Sequence, residues 1–489
     1  MTNNREQILT ALRKTGEFSA KAEAISDSDL LKSTLVIPGH FHALAPETML
    51  IIGGRGTGKS HLFRVLNTPT GAKALLEEGR VSYINQDSFW LVGYAAQQKE
   101  LFPAADALQD FARNLDRLSL YGLWRGMLII SILSLQQEAL TEILKKALSP
   151  TLFEALATDP RRVSAWHPRL MSELESVASA LDDVDGLLTN QNRYLFVTYD
   201  DLDVMALEWD EKRALIRALL EFWLNQFRRW RRVRPKIFLR ADLFSSEFLD
   251  FPDASKLAGN KMELRWTAPQ LYQLVFKIWA NHSTESLAYL QRAGLSFVRH
   301  NVWEQTFPTP PSEDMLRKVI LEMIGEFMGA GPTKGRSFEW IPNHLQDANG
   351  DIFPRSILNL FSLAAGDELE NQRAKPEKLL TPKSLAFAIE KVSERRIDEL
   401  QEEYLWLTDL RPVLRDKLVP VEQKMMLEWL ESVEWRTSPP VSGAKAQIEL
   451  LLKLGIFRRT KNERLHVPDI YLFGFELKRK GGIPRPQYG

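Results

Sequence analysis

Apolar positions along this chain recur in two rhythms, and the switches between them locate its elements. Met49 to Ile52 form a short unbroken apolar run, after which Leu62, Phe63, Val65 and Leu66 recur at helical spacing. The pattern predicts a buried strand followed by an amphipathic helix. "VSYINQ" (81–86), entered from the turn at Glu78 to Arg80, predicts a second strand. From about 90 to 190 the rhythm is helical, as in "AADALQDFARNLDRLSLYGLWRGM" and "LQQEALTEILKKALS". Strand character returns in "RYLFVTYDDLD" (193–203), gives way to the amphipathic "EKRALIRALLEFWLNQFRRWRR", and resumes in "PKIFLRADLF" (235–244) and "KMELRW" (261–266). Strands alternating with helices predict an α/β fold with a mainly parallel sheet covered on both faces.

Beyond this core, Pro269 to Leu410 is helical throughout. The last stretch reads as helix, helix and two short strands joined by "TKNE", the order of a winged helix. Four parts are expected: an N-terminal helical segment (1–40), a core with a helical insertion near 90–190 (41–268), a helical lid (269–410) and a winged-helix-like basic domain (411–489).

The chemistry enters where the first strand meets the first helix. Gly53, Gly54, Arg55, Gly56, Thr57, Gly58, Lys59 and Ser60 fit the phosphate-binding loop pattern. Its glycines let backbone N–H groups converge on phosphate oxygens, the lysine reaches the β- and γ-phosphates, and the hydroxyl joins Mg²⁺ at a helix N-terminus. His61 follows on the helix beside the phosphates, where packing or capping suits it better than catalysis. A nucleotide site of this kind needs carboxylates, and the acidic end of "YLFVTYDDLD" offers them. Asp200 would hold the metal's hydration shell and Asp201 would polarise the attacking water, although acidic turns after strands are also common. Asp203 reads equally as a helix N-cap and as a site residue. Positive charge at the γ-phosphate would come from Arg240, at the end of its strand, and from Arg355 in "FPRSIL". Each has a plainer reading: a salt bridge to one of the acids at 200–203 for Arg240, and a surface helix start for Arg355. The run "RRWRRVRPK" (228–236) fits a solvated helix C-terminus, a phosphate contact with Trp230 stacking on a base, or a subunit interface.

Composition narrows the setting. A chain of 489 residues, 44% hydrophobic and 26% charged, can bury a large core. Without cysteine it has neither disulfides nor thiolate metal sites, which fits a reducing, cytoplasmic location. "MTNNREQILTALRK" lacks the apolar centre of a signal peptide, and "GLWRGMLIISILSL" (122–135) is too short for a membrane span and holds Arg125, so a buried helix and no membrane partner are expected. Net charge is zero, yet residues 440–489 carry ten Lys and Arg against four acids. A basic end on an acidic body points to an anionic partner, with DNA as one candidate and a protein or intramolecular contact as the other.

The ordered set GGRGTGKSHL, VTYDDLD, KIFLRADLF and FPRSIL resembles bacterial P-loop ATPases with a DDLD-type acidic strand, near the KAP and STAND branches and similar in layout to Orc/Cdc6 ATPases. The resemblance implies an ASCE-type P-loop NTPase. Its loop strand and acidic strand would be separated by another strand, a sensor strand would end near Arg240, and a helical lid would carry Arg355. It further implies ATP and Mg²⁺ as cofactors, homo-oligomers, an effector protein as partner, and a place in anti-phage defence or DNA maintenance. No LSGGQ-like signature of ABC ATPases is visible, and "NQDS" (85–88) has its acid one position too early for a guanine reader. The expected function is an Mg²⁺-dependent ATPase acting as a switch or assembly motor. The alternative is an ATP-dependent DNA-binding or loading protein with slow turnover.

Overall fold

The computed structural model describes residues 2–17, 25–113, 116–205, 209–241, 243, 244, 251, 254–373 and 378–480. Asp242 of the "PKIFLRADLF" stretch and Arg485 of the basic end lie outside the described residues. The chain forms two compact units, Val36–Leu264 and Met1–Leu35 together with Arg265–Gly489.

The unit Val36–Leu264 is built on five strands: β1 (Leu50–Gly53), β2 (Phe89–Tyr94), β3 (Leu195–Tyr199), β4 (Val233–Arg240) and β5 (Lys261–Glu263). They lie in the order β2-β3-β4-β1-β5, every pair parallel. β4 thus separates the glycine-loop strand from the acidic strand, and the fold is an α/β P-loop NTPase. All residues of β1 and β3 are buried, which explains the unbroken apolar run Leu50–Ile52 and the largely apolar β3, interrupted only by Thr198, since a parallel sheet is covered on both faces. Against one face pack the helix Trp209–Arg229 and the insertion, whose helices run from Ala105 to Asn190. Trp124, Met127 and Leu128 of the insertion share a core with Leu195, Val197, Tyr199 and Ile237 of the sheet. On the opposite face the helix Lys59–Asn67 sets Phe63 edge-on to Phe238 of β4, with ring centroids 5.7 Å apart. The stretch "GLWRGMLIISILSL" lies almost entirely in the buried helix Arg117–Ser134, and among the described residues no helix is long and apolar enough to cross a membrane.

The expected strand at 81–86 is not a strand. Residues 81–88 form turns, tied by an Asx bond from the Asp87 amide to Asn85 Oδ1 (2.9 Å), and the strand begins at Phe89. Ile84 is buried as a single anchor, which is why the segment imitates alternation.

In the other unit, the helix Thr2–Lys14 joins the helices that follow Arg265. Trp279 Nε1 donates to the Ile8 carbonyl (3.1 Å), and Arg5 donates to the Leu379 carbonyl (3.0 Å). Buried Lys277 spans the carbonyls of Lys32 (2.6 Å) and Trp303 (2.9 Å). The C-terminal elements run helix Leu407–Leu414, strand Val421–Glu422, helices Gln423–Glu431 and Ala444–Lys453, then strands Arg458–Arg459 and Arg464–His466. The three strands form an antiparallel sheet with 464–466 central. The apolar residues of Ala444–Lys453 face inward through Ile448 and Leu451, whereas Lys445 and Lys453 are exposed.

Candidate functional site

The glycine loop leaves β1 at Gly53 and enters its helix at Lys59. Two glycines make the path feasible. Gly58 has φ +94°, a left-handed backbone that only glycine adopts without strain, and a Cβ on Gly53 would lie 2.6 Å from Thr57 Oγ1. Thr57 itself closes the curl by donating to the Gly54 carbonyl (2.9 Å). Gly54, Arg55 and Gly56 form the outer turn between them. Lys59 folds back along the loop, its Nζ donating to the carbonyls of Gly53 (2.9 Å) and Gly54 (3.0 Å). The ammonium is therefore held over the loop by neutral acceptors, its charge uncompensated by them.

Ser60 and Asp200 meet. Ser60, in the first helical turn, hydrogen-bonds through its hydroxyl to the carboxyl of Asp200, which follows the last residue of β3. Asp200 is buried, and its amide donates to the Tyr94 carbonyl of β2 (3.0 Å). Burial, and then the neighbouring charge of Asp201, push its carboxyl up to about 7, against the opposing pull of Ser60 and Lys59. Asp201 takes a left-handed backbone (φ 57°), and its Oδ2 accepts the Ala96 amide beyond the end of β2 (3.2 Å). The two acids thus point into different settings, one toward the loop serine and one toward the β2 edge.

Arg240 lies beside the loop, in register with Gly53, and pairs with Asp203 at 3.2 Å. The salt bridge that offered the plainer reading of Arg240 is present, and it gives Asp203 a partner as well. His61 stands next to Ser60, and its charge, after burial, helps hold the His40 imidazole down to about 3, so His40 is neutral. Arg355 belongs to the other unit. It opens the helix Pro354–Asn371 and pairs with Glu399 (3.2 Å), whose second oxygen meets Arg396 (3.3 Å). Trp230, considered as a base-stacking ring, is buried and donates to Asp182 Oδ1 (2.9 Å), so it stacks on no external base.

One pair escaped the sequence reading. Asn67, the last residue of the loop helix, donates through Nδ2 to Thr198 Oγ1 (2.9 Å). The visible signal was a hydroxyl inside an apolar strand; nothing marked Asn67.

The site suits a nucleotide with a hard cation. Ser60 and Asp200 supply oxygen donors of the kind Mg²⁺ prefers, and the Asp200 carboxyl is buried, which raises its pKa. Among the described residues no group of three or more His, Cys, Asp or Glu is gathered for a metal.

No family model matches this chain, and no curated protein does. Among solved structures it is similar to the ORC1 protein of Aeropyrum pernix in complex with DNA, at 13% identity over 91% of this chain and 93% of that one, with a TM-score of 0.33. The ORC2 protein of Aeropyrum pernix in its ADPNP-ADP complexes matches at 12% identity over 91% and 98%, with a TM-score of 0.30. Cdc6p of Pyrobaculum aerophilum matches at 12% over 88% and 86%, with a TM-score of 0.29. Overlaps this loose carry no argument. The fold stands on the sheet order and the loop.

Proposed function

We propose that this chain is an Mg²⁺-dependent ATPase used as a switch or assembly motor. The observation that carries the reading is the hydrogen bond between the loop serine, Ser60, and Asp200 at the end of β3. It joins a phosphate loop to an acidic strand across the intervening β4, which is the arrangement phosphoryl transfer requires. In this reading the loop amides from Gly54 to Gly58 and Lys59 bind the phosphates, Ser60 and Asp200 hold the cation, and Asp201 orients the attacking water. The cation, when bound, neutralises charge on the β- and γ-phosphates. Arg240 and Arg355 supply further positive charge, Arg240 after exchanging Asp203 for phosphate oxygen. The decisive experiment is steady-state release of phosphate from ATP with and without Mg²⁺: no Mg²⁺-dependent hydrolysis and no ATP binding would overturn it.

A second reading rests on the order of helices and short antiparallel strands at the C-terminal end, which fits a winged helix, and on the exposed Lys445 and Lys453. There ATP is a loading signal for DNA and turnover is slow. Rapid turnover without DNA supports the first reading; tight ATP-dependent DNA binding with slow turnover supports the second, and Lys445→Glu with Lys453→Glu should then weaken it. On the sequence resemblance alone, the switch would serve anti-phage defence or DNA maintenance from the cytoplasm, with an effector protein downstream. Phage plating efficiency on cells carrying the wild-type or Lys59→Ala gene tests the defence role.

A further inference from the structure

At the opposite end of the strands from the loop, three arginines lie on aromatic rings. Arg193 stands 3.9 Å from the centroid of Phe89, Arg232 4.5 Å from Tyr194, and Arg234 4.4 Å from Phe227. Each guanidinium is anchored by an uncharged acceptor: the Asp87 carbonyl for Arg193 Nε (2.7 Å), Asn192 Oδ1 for Arg232 (2.7 Å) and the Phe227 carbonyl for Arg234 (2.8 Å). Strand pairing sets them side by side, because the Phe89 amide bonds Tyr194 O (2.8 Å) and the Leu195 amide bonds Arg232 O (2.9 Å).

The acids of this edge are largely committed elsewhere. Asp185 accepts the backbone amides of Arg231, Arg232 and Val233 at 2.7 to 3.0 Å, and Asp182 holds Arg229 and Trp230. Glu47, whose charge reaches Arg234, and the exposed Asp87 are further acids at the edge. Arg231 is exposed and held through its backbone amide. A ring beneath a guanidinium fixes its plane and leaves N–H edges for a second acceptor; oxygen pairs on phosphate match that fork. Tyr83, 59% exposed, adds an open ring in the turns that lead into β2.

We propose that this edge of the sheet binds the phosphodiester backbone of a nucleic acid. The arginines are held by rings and neutral acceptors, Asp185 and Asp182 are engaged by neighbouring groups, and aromatic surface lies among the arginines, the combination that single strands and duplex backbones both use. The proposal is independent of the ATPase reading.

The test uses the full-length protein and fluorescence anisotropy with short labelled oligonucleotides of random sequence, single-stranded and duplex, across a salt series. Arg193→Gln with Arg232→Gln should weaken binding about tenfold at low salt and flatten the salt dependence, since each lost phosphate contact removes about one unit from its slope. Arg231→Glu, at an exposed position, should act in the same direction with the thermal unfolding midpoint unchanged, which separates lost contact from lost fold. Loss confined to the single strand assigns the unpaired form, and loss on both probes assigns the shared backbone. Wild-type affinity and salt slope for both probes in these variants would overturn the proposal, as would a polyglutamate peptide that competes as well as the oligonucleotides.

Discussion

Thr198 and Asn67 join the acidic strand to the loop helix: the threonine hydroxyl accepts Asn67 Nδ2 at 2.9 Å and lies 3.0 Å from the Leu91 carbonyl of β2. Asn67 ends the helix that Lys59 and Ser60 begin, and Thr198 stands two residues before Asp200. The bond braces Ser60 against its carboxyl through one helix and one strand.

Thr198→Val keeps the side-chain shape and removes that brace. It should cost about 1–3 kcal/mol of stability, the usual penalty for leaving buried polar groups short of a partner. Hydrolysis should fall roughly tenfold while ATP affinity changes little, because misalignment of the metal-holding pair affects the transition state most. Urea unfolding and turnover measured on one preparation check both halves; unchanged turnover in a destabilised protein would reduce the brace to a purely structural role.

Lys59→Ala should abolish ATP binding or nearly so. The backbone amides of the loop are neutral dipoles, and the charged donor to the β- and γ-phosphates would be gone. Equilibrium binding of a fluorescent ATP analogue is the measurement, and wild-type affinity would end the assignment of the loop.

Asp201→Asn should trap ATP without hydrolysing it, and Asp200→Asn should also weaken the Mg²⁺ dependence. The acids also differ in their pH behaviour. Asp200 is raised from 3.8 to about 7 by burial and by Asp201, so the fold binds its proton more tightly than the unfolded chain does. That contribution to stability is complete below the unfolded value and is lost as pH rises through about 7. Cation and nucleotide need the ionised form. Their joint affinity should therefore climb as pH rises to about 7 and then level off, and the Asp200→Asn profile should be flat. Calorimetric titration across that range reads the sign directly.

Arg355→Ala should reduce hydrolysis by about 10²-fold or more with ATP affinity nearly intact, as expected of an arginine acting on transition-state charge. Glu399 retains Arg396 after the change, so the fold should survive. Mixing this variant with Lys59→Ala protein separates action in cis from action across a subunit boundary. Activity recovered in the mixture requires an oligomer, and full activity of Arg355→Ala alone excludes the role.

Much of the core was legible because its signals are local. Apolar Leu50 to Ile52, a glycine required at Gly58, and an acid after Tyr199 each follow from the backbone that contains them. β2 was hidden. Its sequence, Phe-Trp-Leu-Val-Gly-Tyr, carries a glycine and pairs on one side only, and it was absorbed into the helical stretch that follows. The salt bridge of Arg240 was foreseen as far as the acids at 200–203, and the sheet selects Asp203 among them. The partner of Asn67 was out of reach for another reason: Thr198 lies 131 residues away, so only the folded sheet brings them together. The helix start at Arg355 was legible from "FPRSIL", whereas its ion pair with Glu399 again depends on a helix distant in sequence.

Trp124 of the insertion donates its indole N–H to the Leu215 carbonyl (3.1 Å), inside the core that the insertion shares with β3 and β4. A segment that supplies much of one covering layer of a sheet cannot be a removable appendage. Hydrogen exchange should show the amides of Arg117–Ser134 and of β3 opening together, as one cooperative unit. Excising residues 105–190 would bare a continuous apolar face to water and leave an aggregating remnant instead of a minimal nucleotide-binding domain. Any shortened version of this protein has to keep that layer or replace it with another.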